Sequence, residues 1–299
     1  MIFRGKYAII QERKMITVDE NRNSNISSEH SEELLNIIEN FRLMDDTFMS
    51  KVFEDKACAE LLLRVILNRD DLTVVRVVSQ FELKNLQGRS ARLDIYAIDE
   101  HGKQYDVEVQ RSDDGAAPRR ARYNSSLLDA NLLNPGDKFD ELPESYIIFI
   151  TEHDVLKGGK PLYTVNRTIS ELDHAIFTDG SHIIYVNIYV NGEIRNGTAL
   201  GELMQDFFCK DPREMHYKVL SDRAGYFKKD KEGVDTMCKL VEDYGEKRAR
   251  QAAELASNER AVRMANNLWN KGERDLQQIA DLTDLPLDEV KKLFEGKTA

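Results

Sequence analysis

Two adjacent runs in the middle of the chain alternate between apolar and polar residues with period two. They are Ala91-Arg92-Leu93-Asp94-Ile95-Tyr96-Ala97-Ile98 and Gln104-Tyr105-Asp106-Val107-Glu108-Val109-Gln110, joined by the short polar stretch Asp99–Lys103. Side chains of a strand alternate between its faces. The second run therefore sets Tyr105, Val107 and Val109 on one face and Asp106, Glu108 and Gln110 on the other. In the first run Leu93, Ile95 and Ala97 form the apolar set, opposite Arg92, Asp94 and Tyr96. Paired as a hairpin, the strands bring Asp94 close to Glu108 and Gln110.

Other periodicities frame this hairpin. Leu34, Leu35, Ile37 and Ile38 predict a short helix over 31–41. Cys58, Leu61, Leu62, Val65 and Ile66 recur at helical spacing and predict a helix over 56–68. A second apolar stripe, Leu63 and Leu67, includes Glu60, so this helix is expected to be buried and Glu60 partly withheld from water. A strand is expected near Thr73–Val78, and a strand or an extended loop near Phe81–Leu86. Pro118 suits the first turn of a helix over 119–133, which Asn134-Pro135-Gly136-Asp137 stops. Tyr146–Thr151 is an unbroken apolar run, as in a strand buried on both faces, and His182–Val190 reads as another. From Leu200 onward the pattern is helical. Residues 276–293 outline two short helices and a turn near Thr283–Leu287. Four acids against two lysines there favour a helical packing unit over a DNA reader. The first 30 residues are polar and aperiodic and read as a mobile extension. The order of elements predicts an α/β fold, a mixed central sheet flanked by helices with an α-helical C-terminal region.

Composition adds limits. The 299 residues are 41% hydrophobic and 32% charged, an ordinary globular balance. Three scattered cysteines suit a reducing cytoplasm and exclude a disulfide framework. No apolar stretch reaches the ~20 residues that span a bilayer, and the start lacks a signal-peptide core, so a cytoplasmic protein with no membrane partner is expected. The net charge of −11 argues against indiscriminate nucleic-acid binding. It leaves room for a local basic rim that focuses phosphate, and Arg89, Arg92, Arg111, Arg119, Arg120 and Arg122 lie close to the hairpin acids. Alternatively these arginines pair with neighbours such as Asp113 and Asp114.

Two converging carboxylates suit magnesium, which takes one or two carboxylates plus waters and substrate phosphate. Thirteen residues separate Asp94 from Glu108, and Gln110 follows two later. This spacing resembles the Asp…Glu-x-Lys motif of PD-(D/E)XK nucleases. With Asn85–Tyr96 leading in and Arg119-Arg120-Ala121-Arg122-Tyr123-Asn124-Ser125-Ser126-Leu127-Leu128 following, the chain is similar to the PD-(D/E)XK nuclease family transposases, or recombination-promoting nucleases, from about Asp45 to about residue 245. Gln110 stands at the usual lysine position, as it does in that subfamily, and removes a cation. The resemblance implies a restriction-endonuclease-like domain over 31–245, between the extension 1–30 and a helical tail 246–299.

It also implies phosphodiester hydrolysis of DNA by magnesium-activated water, with manganese as an alternative ion, in a context of recombination or transposition. Asp94 and Glu108 are then the metal ligands, with the Val109 carbonyl as a third. Gln110 orients the attacking water, since an amide is neither a base nor a cation. Glu60 accepts a proton or aligns a second ion. Arg120 or Arg122 clamps a phosphate, Tyr123 adds a hydrogen bond or a stacking face, and Arg92 belongs to the DNA-facing rim. Asp45-Asp46 is read as a helix cap. Double-strand cleavage by a single-site nuclease calls for a homodimer. A catalytically silent nucleic-acid-binding or regulatory protein that keeps the fold is the alternative, favoured by Gln110 and the acidic charge.

Overall fold

The computed structural model describes residues 31–295 except 86–87, 112, 191 and 195–196. The extension expected over residues 1–30 and the side chains of Asp113 and Asp114 lie outside the described residues. Compactness divides the chain into two units, the first ending at Cys238 and the second beginning at Lys239.

The first unit opens with helices α1 (31–40), α2 (Asp46–Val52) and α3 (Lys56–Leu67). Asp55 starts α3 by accepting hydrogen bonds from the amides of Ala57 and Cys58, and Asn68 ends it in the left-handed conformation. Then come β1 (Val74–Leu83), β2 (Ala91–Asp99), β3 (Gln104–Gln110), α4 (Pro118–Leu132), β4 (Ser145–Thr151) and β5 (Leu162–Val165). A two-stranded ribbon, β6 (Thr168–Ile169) and β7 (Ala175–Ile176), leads to β8 (Ser181–Asn187), α5 (Ala199–Phe208) and α6 (Lys218–Lys229). Six strands form one mixed sheet in the order β1-β2-β3-β4-β8-β5. β1, β2 and β3 are antiparallel, β3, β4 and β8 parallel, and β5 runs antiparallel to β8. A parallel neighbour needs a crossover, and α4 provides it between β3 and β4.

Helices cover both faces, as the pattern predicts. Ile95, Ala97, Tyr105, Val107, Ile148 and Ile150 pack with Phe48, Leu62, Leu63, Phe207 and Phe227 from α2, α3, α5 and α6. On the other face Leu93, Tyr96, Ile147, Phe149 and Tyr185 pack with Ala121, Leu127 and Leu128 of α4. The β4 residues Ile147 to Ile150 are all buried, which explains their unbroken apolar run. The β2–β3 turn is closed by Asp99, whose Oδ1 accepts from the amides of His101 and Lys103 while Oδ2 accepts from Tyr105.

Some expectations are corrected. The runs read near 73–78 and 81–86 are a single strand, β1. β8 stops at Asn187, and the half-buried or exposed β5, β6 and β7 have no strong pattern to announce them. Leu93 leaves its expected set: it packs with Tyr96 on the α4 face, away from Ile95 and Ala97. The interruption is local. Gln80 of β1 stands between the pairs Ser79↔Ile95 and Phe81↔Leu93, opposite Asp94, with φ of 53°. A non-glycine residue at positive φ departs from strand geometry, and the exchange of faces falls at this interruption, with the register unchanged on either side.

The second unit holds its own small core. Helix α7 (Lys231–Asn270) enters it and is followed by α8 (Leu276–Thr283) and α9 (Leu287–Phe294). Ala265, Trp269, Ile279, Leu285, Val290 and Phe294 pack together, with the Trp269 and Phe294 rings stacked 4.3 Å apart.

Candidate active site

The β2–β3 ladder holds Tyr96 opposite Asp106 and Ile95 opposite Val107. Asp94 and Glu108 come next. Here a side-chain bond continues the pairing, because Oδ2 of Asp94 accepts from the Val109 amide at 3.0 Å. The two carboxylates are thus neighbours on adjoining strands, Glu108 wholly buried and Asp94 8% exposed. Gln110 follows on the Glu108 face, its Nε2 3.4 Å from Glu108 Oε2.

Arg120, in the first turn of α4, reaches the same oxygen. Its Nη2 donates to Glu108 Oε2 at 2.5 Å, and its Nη1 donates to the Gly115 carbonyl at 2.8 Å and Gln110 Oε1 at 3.3 Å. A third acid lies behind. Asp106 is wholly buried and accepts from Asn124 Nδ2 at 3.2 Å. Its Oδ1 and the Oε1 of Glu108 have no hydrogen-bond partner.

Burial of several carboxylates side by side favours their neutral forms. Desolvation lifts Asp94 from 3.8 to about 6, with the charge of Asp46 adding to the rise and the Val109 amide opposing it. Glu108 rises to about 7, first through desolvation and then through the charge of Asp94. Asp106 is pushed well above the usual carboxylate range by burial and by Glu108. Such displaced acids in one place mark functional sites.

A chain with this hairpin, carried on this sheet, matches a known pattern. The family model described as PD-(D/E)XK nuclease family transposase matches residues 49–201. The chain belongs to this family. No curated protein and no solved structure matches it. Family membership supports a nuclease-like function acting on nucleic acid, and the matched segment contains the whole Asp94–Glu108–Gln110–Arg120 constellation.

The candidate site gathers some expected residues and leaves others aside. Asp94, Glu108, Val109, Gln110 and Arg120 converge. Glu60 serves elsewhere: its Oε2 accepts from the Val74 amide at 2.9 Å and its Oε1 pairs with Arg64 at 2.8 Å. Val74 is opposite Asp99, five residues along β2 from Asp94, or about 16 Å at the usual strand rise. Glu60 thus anchors α3 to the start of β1. The hydroxyl of Tyr123 is engaged by Asn85 Nδ2 at 3.1 Å and donates to the Arg89 carbonyl, tying α4 to the β1–β2 connection. Arg122 is exposed, and Arg92 is half exposed, 3.9 Å from Asp46. Arg111 pairs with Asp45 and Glu152, so part of the basic rim is neutralised by acids.

One acid was assigned a different role by the sequence pattern. Asp46 begins α2, accepts from Gln80 Nε2 at 3.0 Å and raises the Asp94 pKa through its charge. Its neighbour Asp45 occupies the N-cap position but makes no cap bond, accepting instead from the Arg42 amide. Paired acids before a helix read locally as a cap. Only the approach of α2 to the hairpin reveals that Asp46 faces the site.

The residues fit a divalent cation in one respect that the geometry itself shows. Glu108, next to Asp94 across the β2–β3 ladder, keeps one buried oxygen, Oε1, without a hydrogen-bond partner. Among the described residues no group of three acidic, histidine or cysteine side chains is placed to cage an ion. Magnesium accepts fewer protein ligands and completes its shell with water.

Proposed function

We propose that the chain is a metal-dependent DNA endonuclease that hydrolyses phosphodiester bonds, with magnesium as the working ion and manganese as a substitute. The observation that carries this reading is the meeting of Asp94 and Glu108, buried and adjacent, with an unpartnered Glu108 oxygen. Asp94, Glu108 and the Val109 carbonyl would hold the ion. When bound, it supplies Lewis acidity and lowers the pKa of an attacking water. The chain's own residues do the remainder. Asp94 is fixed by the Val109 amide, so its free oxygen is aimed rather than mobile. Glu108 is held by Arg120 and Gln110 through one oxygen, which leaves the other available. Gln110 bonds the water or a phosphoryl oxygen. Arg92 and Arg122, exposed near the hairpin, approach the phosphate backbone. The link to recombination rests on the family's description, and a second copy of the chain accounts for cleavage of both strands. The reading assigns Glu60 no chemical step.

Supercoiled plasmid incubated with the full chain and Mg2+ or Mn2+ tests the reading. Wild type nicks it, chelator stops nicking, and Asp94→Ala and Glu108→Ala each cost at least about 100-fold, as expected where an ion contributes several kcal/mol at tenfold per ~1.4 kcal/mol. Nicking that survives both substitutions sinks the site. Absence of nicking with either metal favours a silent nucleic-acid-binding protein.

A further inference from the structure

Arg120 reads in sequence as a phosphate clamp, yet its guanidinium is engaged by the protein's own acceptors while the side chain stays 38% exposed. It donates to three acceptors on two segments: Glu108 Oε2 and Gln110 Oε1 of β3, and the Gly115 carbonyl in the connection to α4. The guanidinium carbon lies 5.9 Å from the centroid of the Phe149 ring, within cation–π range.

The consequence falls on Gln110. A carboxamide has one accepting and one donating end, and a guanidinium only donates. With Oε1 receiving from Arg120, Nε2 is obliged to face Glu108, where it stands 3.4 Å from Oε2. One hydrogen of that amide remains for a water or a phosphoryl oxygen. Gly115 closes the arrangement, because a Cβ there would lie 2.2 Å from Gln110 Oε1. A side chain at 115 displaces the amide. The arrangement also answers a charge problem. Asp94, Asp106 and Glu108 are buried together, Gln110 is neutral, and Arg120 is the cation whose attraction acts on all three.

We propose that Arg120 is a positioning residue for cleavage. It supplies from α4 the positive charge that strand β3 lacks at Gln110, and it fixes the Gln110 carboxamide as a hydrogen-bond donor at the scissile phosphate. This rests on the nuclease reading above.

Arg120→Ala, Arg120→Lys and the double variant Arg120→Ala with Gln110→Lys test it, using the full chain. Two readouts are taken: kcat and KM for plasmid nicking, and Mn2+ affinity by calorimetry. Arg120→Ala loses about 10- to 100-fold in kcat, the usual cost of removing a residue that orients a ligand, with KM nearly unchanged. It binds Mn2+ more tightly, because a cation has left a ligand oxygen. Arg120→Lys falls between, since one ammonium keeps the charge but not the fork that holds Gln110. The double variant recovers much of the lost kcat by returning a cation to β3.

A rise in KM with kcat preserved makes Arg120 a phosphate clamp and overturns the proposal. Weaker or unchanged Mn2+ binding in Arg120→Ala overturns it as well, whether or not plasmid is nicked. A wild type that neither nicks nor binds Mn2+ removes the nuclease reading itself, and the inference falls with it. A wild type that nicks, beside an Arg120→Ala that nicks equally well, removes the inference alone.

Discussion

At the scale of residues, the acids of the hairpin set a pH dependence whose sign follows from their burial. The folded chain holds Asp94 near 6 and Glu108 near 7, both above the ordinary 3.8 and 4.5. Between those values the folded state binds more protons than the unfolded one, so these groups lower stability as pH rises from about 4 through 7. Divalent-metal binding needs the charged forms and strengthens over the upper part of the same range. The melting temperature of metal-free wild type should therefore fall more between pH 5 and pH 7.5 than that of Asp94→Asn with Glu108→Gln. Added Mg2+ should recover the difference for wild type only. Equal slopes for the two proteins would remove the electrostatic account. The face shared by Glu108 and Gln110 was legible from alternation alone, because a strand's faces are a local property, whereas Asp94 lies where the alternation of β2 breaks. Asp46 was not legible, since its role depends on Gln80 and Asp94, 34 and 48 residues away.

Elements were legible in proportion to how much apolar surface they bury. Helix α3 and strand β4 announce themselves, while β5 to β7 carry mostly half-buried or exposed residues and leave little pattern. Glu60 shows how an element can mislead. An acid on a buried helix face resembles a withheld catalytic group, yet it satisfies the first amide of β1 and pairs with Arg64. Glu60→Ala should lower unfolding free energy by roughly 1–3 kcal/mol, the cost of leaving a shielded amide unpaired, measured by urea denaturation. Its nicking activity below the transition should match wild type. A selective loss of kcat without loss of stability would return Glu60 to the chemistry. The exchange of faces at Leu93 belongs to this scale too, for it falls where a positive φ interrupts β1.

For the whole molecule, the two compact units bury separate cores. The chain has a single tryptophan, Trp269, and it lies in the second unit's core against Phe294. Its fluorescence therefore reports that unit alone. Trp269→Ala should remove a large aromatic contact worth about 3–5 kcal/mol and melt the second unit. A first unit held by its own core should keep its thermal transition by far-ultraviolet circular dichroism. A single common transition that shifts as a whole would show the cores to be one cooperative system. Sequence by itself determined the α/β class, the two hairpin strands and the face shared by Glu108 and Gln110, because strand and helix periods are written in neighbouring residues. Only the tertiary structure decided the strand order, the approach of Asp46 and the engagement of Arg120 by Glu108 and Gln110. A guanidinium chooses among the acceptors that the packing of α4 on the sheet brings within its reach, and no local period encodes that choice.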